Sequence, residues 1–157
     1  MIRKEVMKYL IKSFVIMYSL VSLSFAQINT LEEAMSINMS GIMAQRFKMA
    51  IVAENVANLM TLKDEETGLP YQKQYVQLEA SDIGVKIVDV AKSTEPFGRY
   101  FDPAAPQSDE DGYFYLPNVN MPNEMVTLKH TEAMYEANVN AFKLTKTMYQ
   151  SAVELLK

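Results

Sequence analysis

Apolar residues recur every seven positions in two long stretches of the chain and alternate in shorter stretches between them. In the first stretch Met35, Ile42, Met49 and Val56 form one column. Met39, Arg46, Ala53 and Met60 form a second, offset by four, giving an a/d seam with one charged interruption at Arg46. Met43, Ala50 and Ala57 widen that face beyond what one partner helix can cover. Thr30-Leu31-Glu32-Glu33 fits a capping box, so the pattern predicts a helix from near Thr30 to about Met60. In the second stretch Leu128, Tyr135, Phe142, Tyr149 and Leu156 repeat every seven residues. Beside them run Met134, Ala141, Met148 and Leu155, and a partner column of Met125, Glu132, Val139, Lys146 and Val153. Proline is tolerated in a first helical turn, which predicts a helix from Pro122 to about Leu156.

All six prolines and four of the five glycines lie between residues 68 and 122, so helix breakers are confined to the middle. Within it Tyr71–Leu78 and Val85–Val90 alternate as strands do, with Asp82-Ile83-Gly84 as their connector. A short strand is expected at Tyr113-Phe114-Tyr115. The fold class is therefore α+β: long N- and C-terminal helices forming a coiled-coil hairpin or tube element, with a small β-rich insert. The expected divisions are 1–26, 27–61, 62–121 and 122–157.

The first of these differs in character. Arg3, Lys4, Lys8 and Lys12 precede an uncharged, mostly apolar run from Phe14 to Ala26, and Ser24-Phe25-Ala26 ends it with small residues at alternate positions. That is the pattern of a secretory signal peptide cut between Ala26 and Gln27, the run being short for a membrane span. An uncleaved anchor is the other reading. Residues 1–26 hold four cations and one acid; the rest holds 11 cations against 18 acids, a net charge of −7. So acidic a chain has no electrostatic footprint for a phosphate backbone, and no nucleic-acid partner is expected.

The residues that carry chemistry are scarce. With no Cys, one His (His130) and no Gly-rich phosphate loop, the expectation is no catalytic residue, no metal ligand, no cofactor and no small-molecule substrate. Asp109-Glu110-Asp111-Gly112 starts like a calcium loop, but Tyr113 stands where the fifth ligand is needed, so it reads as a solvated acidic turn. Glu65, Glu66 and Asp82 have no nucleophile to serve and read as surface loop. The abundant methionines suit adaptable helical interfaces better than copper. Asn55, Asn58 and Asn138 lie beside the seams; a paired amide there sets helix register. The bland reading makes Asn58 a helix C-cap and leaves the others facing solvent.

Ala53-Glu54-Asn55-Val56-Ala57-Asn58 matches the A-x-N-x-A-N signature of bacterial flagellar rod and hook proteins. The run Asp109-Glu110-Asp111-Gly112-Tyr113-Phe114-Tyr115-Leu116-Pro117-Asn118-Val119-Asn120 is similar to the segment typical of proximal-rod subunits. Glu124-Met125-Val126 and Tyr135-Glu136-Ala137-Asn138-Val139 match their C-terminal helix. The chain thus resembles that family over roughly Ile28–Lys157. The resemblance implies a structural rod subunit of the basal body in the periplasm, self-associating in an axial stack. Its partners would be other rod subunits and membrane-ring or basal-body proteins. Terminal helices would pair into a tubular core, with Met35, Ile42, Met49, Ala53, Asn55, Val56, Asn58, Leu128, Tyr135, Asn138, Phe142 and Tyr149 at the assembly interface. The alternative is a periplasmic helical adaptor without enzymatic activity.

Overall fold

The structure, a computed structural model, describes the backbone of residues 2–63 and 67–155, and their side chains except those of 2–11, 13 and 15–29. The chain is α+β. Helix α1 spans Ile2–Ala57 and α2 spans Met121–Glu154; between them lie β1 (Gln74–Ser81), β2 (Gly84–Lys92), β3 (Gly98–Phe101) and β4 (Tyr113–Leu116). At ~1.5 Å per residue the helices extend roughly 84 and 51 Å. Among the described residues no helix is long and apolar enough to cross a membrane.

The two helices pack along each other. Glu32 meets Tyr149, Gly41 meets Asn138, and Asn55 meets Glu124, so position falls along α2 as it rises along α1. The pair is antiparallel. Its capped end is local chemistry. The Asn120 side chain accepts from the Asn123 N–H at 3.0 Å, Pro122 sits in the first turn, and acidic Glu124 lies close to the positive end of the helix.

The insert consists of two separate antiparallel ribbons, β1–β2 and β3–β4. Asp82 and Ile83 turn between paired Ser81 and Gly84, with Gly84 at φ +86°. A register shift after Gln77 leaves Val88 unpaired: Gln77 opposes Asp89, but Leu78 opposes Ile87. The extra residue keeps Ile87 and Val85 on the face of Val76 and Leu78, and turns Lys86 outward to Glu79, 3.0 Å away. The ribbon lies back along α1. Its base is held at Asn55 and its tip at Ser40, whose Oγ donates to Ile37 O (2.7 Å) and accepts from the Val85 N–H (3.1 Å). In the second ribbon the Phe101 and Tyr113 rings pack tilted against each other at 59° with centroids 5.0 Å apart, and the Arg99 guanidinium lies 3.6 Å from the Tyr113 ring centroid.

Several expectations need correction. The capping box at Thr30 is not a helix start, because α1 runs unbroken through it from Ile2. Helix α1 ends at Ala57, three residues before Met60, where Asn58 takes over the cap. β1 begins at Gln74 rather than Tyr71, because Tyr71 is drawn to Thr61 (N···O 2.9 Å) and not to a strand. The expected single strand near Tyr113 has a partner, β3, that was not foreseen. Leu156, Glu65 and Glu66 lie outside the described residues, as do the side chains of the Ala26/Gln27 cleavage position.

A Cβ on Gly84 would run into Ser40 Oγ and stand 3.2 Å from Ile37 Cα, on a backbone conformation that L residues rarely adopt. Gly84→Ala is expected to lower stability by ~1–3 kcal/mol in denaturant titration and to speed amide exchange at Val85, leaving exchange within α2 unchanged.

Candidate functional site

The junction of α1, β1 and α2 is a closed polar cluster around Asn55, 1% exposed. Its Nδ2 donates to Gln74 O (2.8 Å) and Glu124 Oε2 (3.2 Å). Its Oδ1 accepts from the Tyr71 hydroxyl (3.0 Å) and the Gln74 N–H (2.9 Å). Both donors and both acceptor sites of the amide are filled. Glu124, equally buried, also meets the Lys73 ammonium at 2.8 Å from Oε1, as an ion pair and not along an aligned hydrogen-bond direction. Burial, aided by the nearby charges of Glu54 and Glu124, raises the Tyr71 phenol to about 12. A cluster so fully satisfied holds three elements together and leaves little that could act on a substrate.

The Pro117-Asn118-Val119-Asn120 run completes this joint. Asn118 Oδ1 accepts from the Lys73 N–H (2.7 Å) while its Nδ2 donates to Glu95 O (2.7 Å), clamping the segments before β1 and after β2. Asn120 then caps α2. The acidic turn upstream is also structural. Asp109 Oδ1 accepts from the N–H groups of Asp111 (3.1 Å) and Tyr113 (2.8 Å), and Gly112 is at φ +79°, where a Cβ would also meet Pro103 and Phe101. Among the described residues no group of three or more His, Cys, Asp or Glu side chains could hold a metal ion.

Along the helix pair the facing columns are mostly small or polar. From α2 come Glu124, Thr131, Asn138, Thr145 and Ala152, spaced by seven; Thr131 is fully buried. From α1 come Asn38, Gln45, Val52 and Asn55. The Thr131 and Thr145 hydroxyls donate to Thr127 O (2.7 Å) and Ala141 O (2.9 Å) of their own helix, so they need no partner across the seam. Gly41 admits Asn138: a Cβ there would lie 2.8 Å from its Nδ2.

The structure divides the residues singled out in the sequence. Met35, Ile42, Met49 and Val56 flank the seam, half-buried, and Leu128, Tyr135, Phe142 and Tyr149 line it, half-buried. Tyr149 donates to Glu32 Oε1 at 2.9 Å, which raises its pKa. Asn55 and Asn138 face inward; Asn58 is the C-cap, donating to Glu54 O and accepting from Thr61 Oγ1. The second α1 column is corrected: Met39, Arg46, Ala53 and Met60 are exposed, and Asn38, Gln45 and Val52 take its place. On α2 the same holds for Met134 and Met148, which are exposed, whereas Thr131 and Thr145 are inside. Exposed with them are Met43, Phe47, Val126 and Leu144. Periodicity found the spacing of the seam but assigned it to the apolar columns, because sequence gives no signal that a threonine is satisfied by its own backbone. Gly41, alone in a long helix, was the available clue.

The chain is similar to known proteins in two comparisons. The family model for the C-terminal region of flagellar basal body rod FlgEFG proteins matches residues 110–155. The flagellar basal-body rod protein FlgC of Aquifex aeolicus (strain VF5) is 34% identical over 131 residues, covering 79% of this chain and 96% of the relative. Its counterpart in Bacillus subtilis (strain 168) is 30% identical, covering 79% and 97%. That of Escherichia coli O157:H7 is 30% identical, covering 74% and 90%.

Asn55→Ala strands four partners in a buried site and should cost ~2–4 kcal/mol in denaturant titration. Asn55→Asp should be worse at neutral pH, since it sets a second carboxylate against Glu124, and should recover in part on acidification. The folded state holds the Tyr71 proton more tightly than the unfolded chain does. Its contribution to stability is therefore complete below pH 10 and lost as pH rises toward about 12. In Tyr71→Phe that alkaline slope should flatten.

Proposed function

The chain belongs to the FlgC family of flagellar basal-body rod proteins, and from that premise we propose that its outward helical faces join neighbouring subunits in an axial stack that carries torque. It is a structural subunit of the rod of the flagellar basal body. The observation behind the proposed mechanism is how the helix pair divides its residues: Thr131, Asn138 and Thr145 lie inside together with the buried apolar Ala44, Ile51 and Val52, while Met39, Met43, Phe47, Met134, Leu144 and Met148 are left exposed. Apolar side chains left exposed along helices are the kind of surface on which another chain docks.

Head-to-tail contacts that do not close generate an open filament. Helices laid along the shaft transmit strain well once their faces are packed, because packed interiors resist compression. On this reading α1 and α2 form a coiled-coil element of a tube, made continuous by copies of this chain, other rod subunits and membrane-ring proteins. Ala53 joins the outward face. Met35, Ile42, Met49, Val56, Leu128, Tyr135, Phe142 and Tyr149 set the spacing of the pair, and Asn55 and Asn138 its register, whereas Asn58 caps α1. Residues 1–26 act as a leader removed at the Ala26/Gln27 bond.

Three outcomes check these statements. Met148→Glu and Leu144→Glu should leave the circular dichroism and melting of the purified chain unchanged, yet lower its recovery in isolated basal bodies by about tenfold or more. Phe142→Ala, which hollows the seam itself, should instead destabilise the subunit by ~2–4 kcal/mol. Full recovery of both Glu variants in basal bodies would refute the outward faces as joining surfaces. Intact mass of the protein from cells should match a chain starting at Gln27.

A further inference from the structure

The methionines fall into two geometric sets. Of the nine whose side chains are described, only Met35 and Met49 are half-buried beside the seam; the other seven are exposed. On the outward faces Met43 is 62% exposed, Met134 45% and Met148 52%, and Met60 beyond the end of α1 reaches 76%. A thioether is flexible and fits an imperfectly shaped neighbour, which explains its use on a joining face. The same sulfur, left open to solvent, is the chain's most oxidisable group, since cysteine is absent.

We propose that the outward methionines, Met43, Met134 and Met148 foremost, are an oxidative modification site that keeps an oxidised subunit out of the stack. This rests on the reading of the outward faces as joining surfaces. In the step, a hydroperoxide transfers one oxygen atom to sulfur. A new S–O bond forms as the O–O bond breaks; sulfur is oxidised by two electrons and hydrogen peroxide is reduced to water. The sulfoxide oxygen is a strong acceptor that water solvates on the free subunit, and an apolar neighbour offers it nothing in exchange, even with Arg46 beside Met43 and Thr147 beside Met148. Burying it against a neighbour therefore opposes docking. The polar seam is untouched, so the subunit keeps its fold. A methionine sulfoxide reductase reverses the change at the expense of a dithiol, which becomes a disulfide as water leaves.

The test treats the purified full chain with hydrogen peroxide and follows self-association by sedimentation, with peptide mass spectrometry for each methionine. Met43, Met134 and Met148 should oxidise several-fold faster than Met35 and Met49. Self-association should weaken by about tenfold or more, circular dichroism should stay unchanged, and reductase treatment should restore association. The volume-conserving variant with Met39→Leu, Met43→Leu, Met134→Leu and Met148→Leu should associate equally before and after peroxide. Undiminished association of the oxidised wild-type chain would overturn the proposal, as would an equal loss in the leucine variant. If the untreated wild-type chain never associates, the joining reading falls and takes this inference with it.

Discussion

A single buried amide fixes how α1, β1 and α2 meet. Asn55 binds the entrance of β1 through both backbone groups of Gln74, reaches the start of α2 through Glu124, and holds Tyr71 through its hydroxyl. A buried amide is costly when unpaired and directional when paired. With four partners there is one arrangement of helix, ribbon and second helix that satisfies it. Apolar contact alone could not select that arrangement, because an apolar face slides with little penalty. The Lys73–Glu124 ion pair adds to the same joint, and such a pair is retained more for specificity than for net stability.

The helix pair follows a logic opposite to that of a self-sufficient bundle. A monomeric hairpin would put its leucines and methionines inside. Here Thr131, Thr145 and Asn138 go inside, made tolerable by hydroxyls that bond their own backbone and by the space at Gly41. Met39, Met43, Met134, Leu144 and Met148 stay exposed on the subunit instead.

Much of this was legible in the sequence. The breaker-poor flanks gave both helices, alternation gave β1 and β2, and A-x-N-x-A-N marked Asn55 before its bonds were visible. Other features were not. β3 is four residues with glycine and arginine, too short for a pattern, and it exists because its aromatic rings pair across to β4. Thr30 and Glu33 form a valid capping box, yet the helix continues through them, since a local cap signal cannot overrule a favourable upstream helical turn. The inward column was misplaced because burial was equated with apolarity. Which side of an amphipathic helix is inside depends on what it meets, and a single chain does not contain all of its partners.

The seven-residue column of α2 is degenerate by construction. If α2 slipped by one heptad, Thr131 would take the place of Glu124 and Thr145 the place of Asn138, and the small polar column would still close. The outward methionine columns would then be displaced against those of α1 by roughly 10 Å, and a neighbour shaped for the composite surface would no longer fit. The column therefore cannot specify the register. Two pins do. Slippage would strip Asn55 of its carboxylate partner and leave Lys73 without its counter-charge at one end, and would withdraw Asn138 from Gly41 in the middle. The geometry of the outer surface thus derives from polar contacts buried between the two helices.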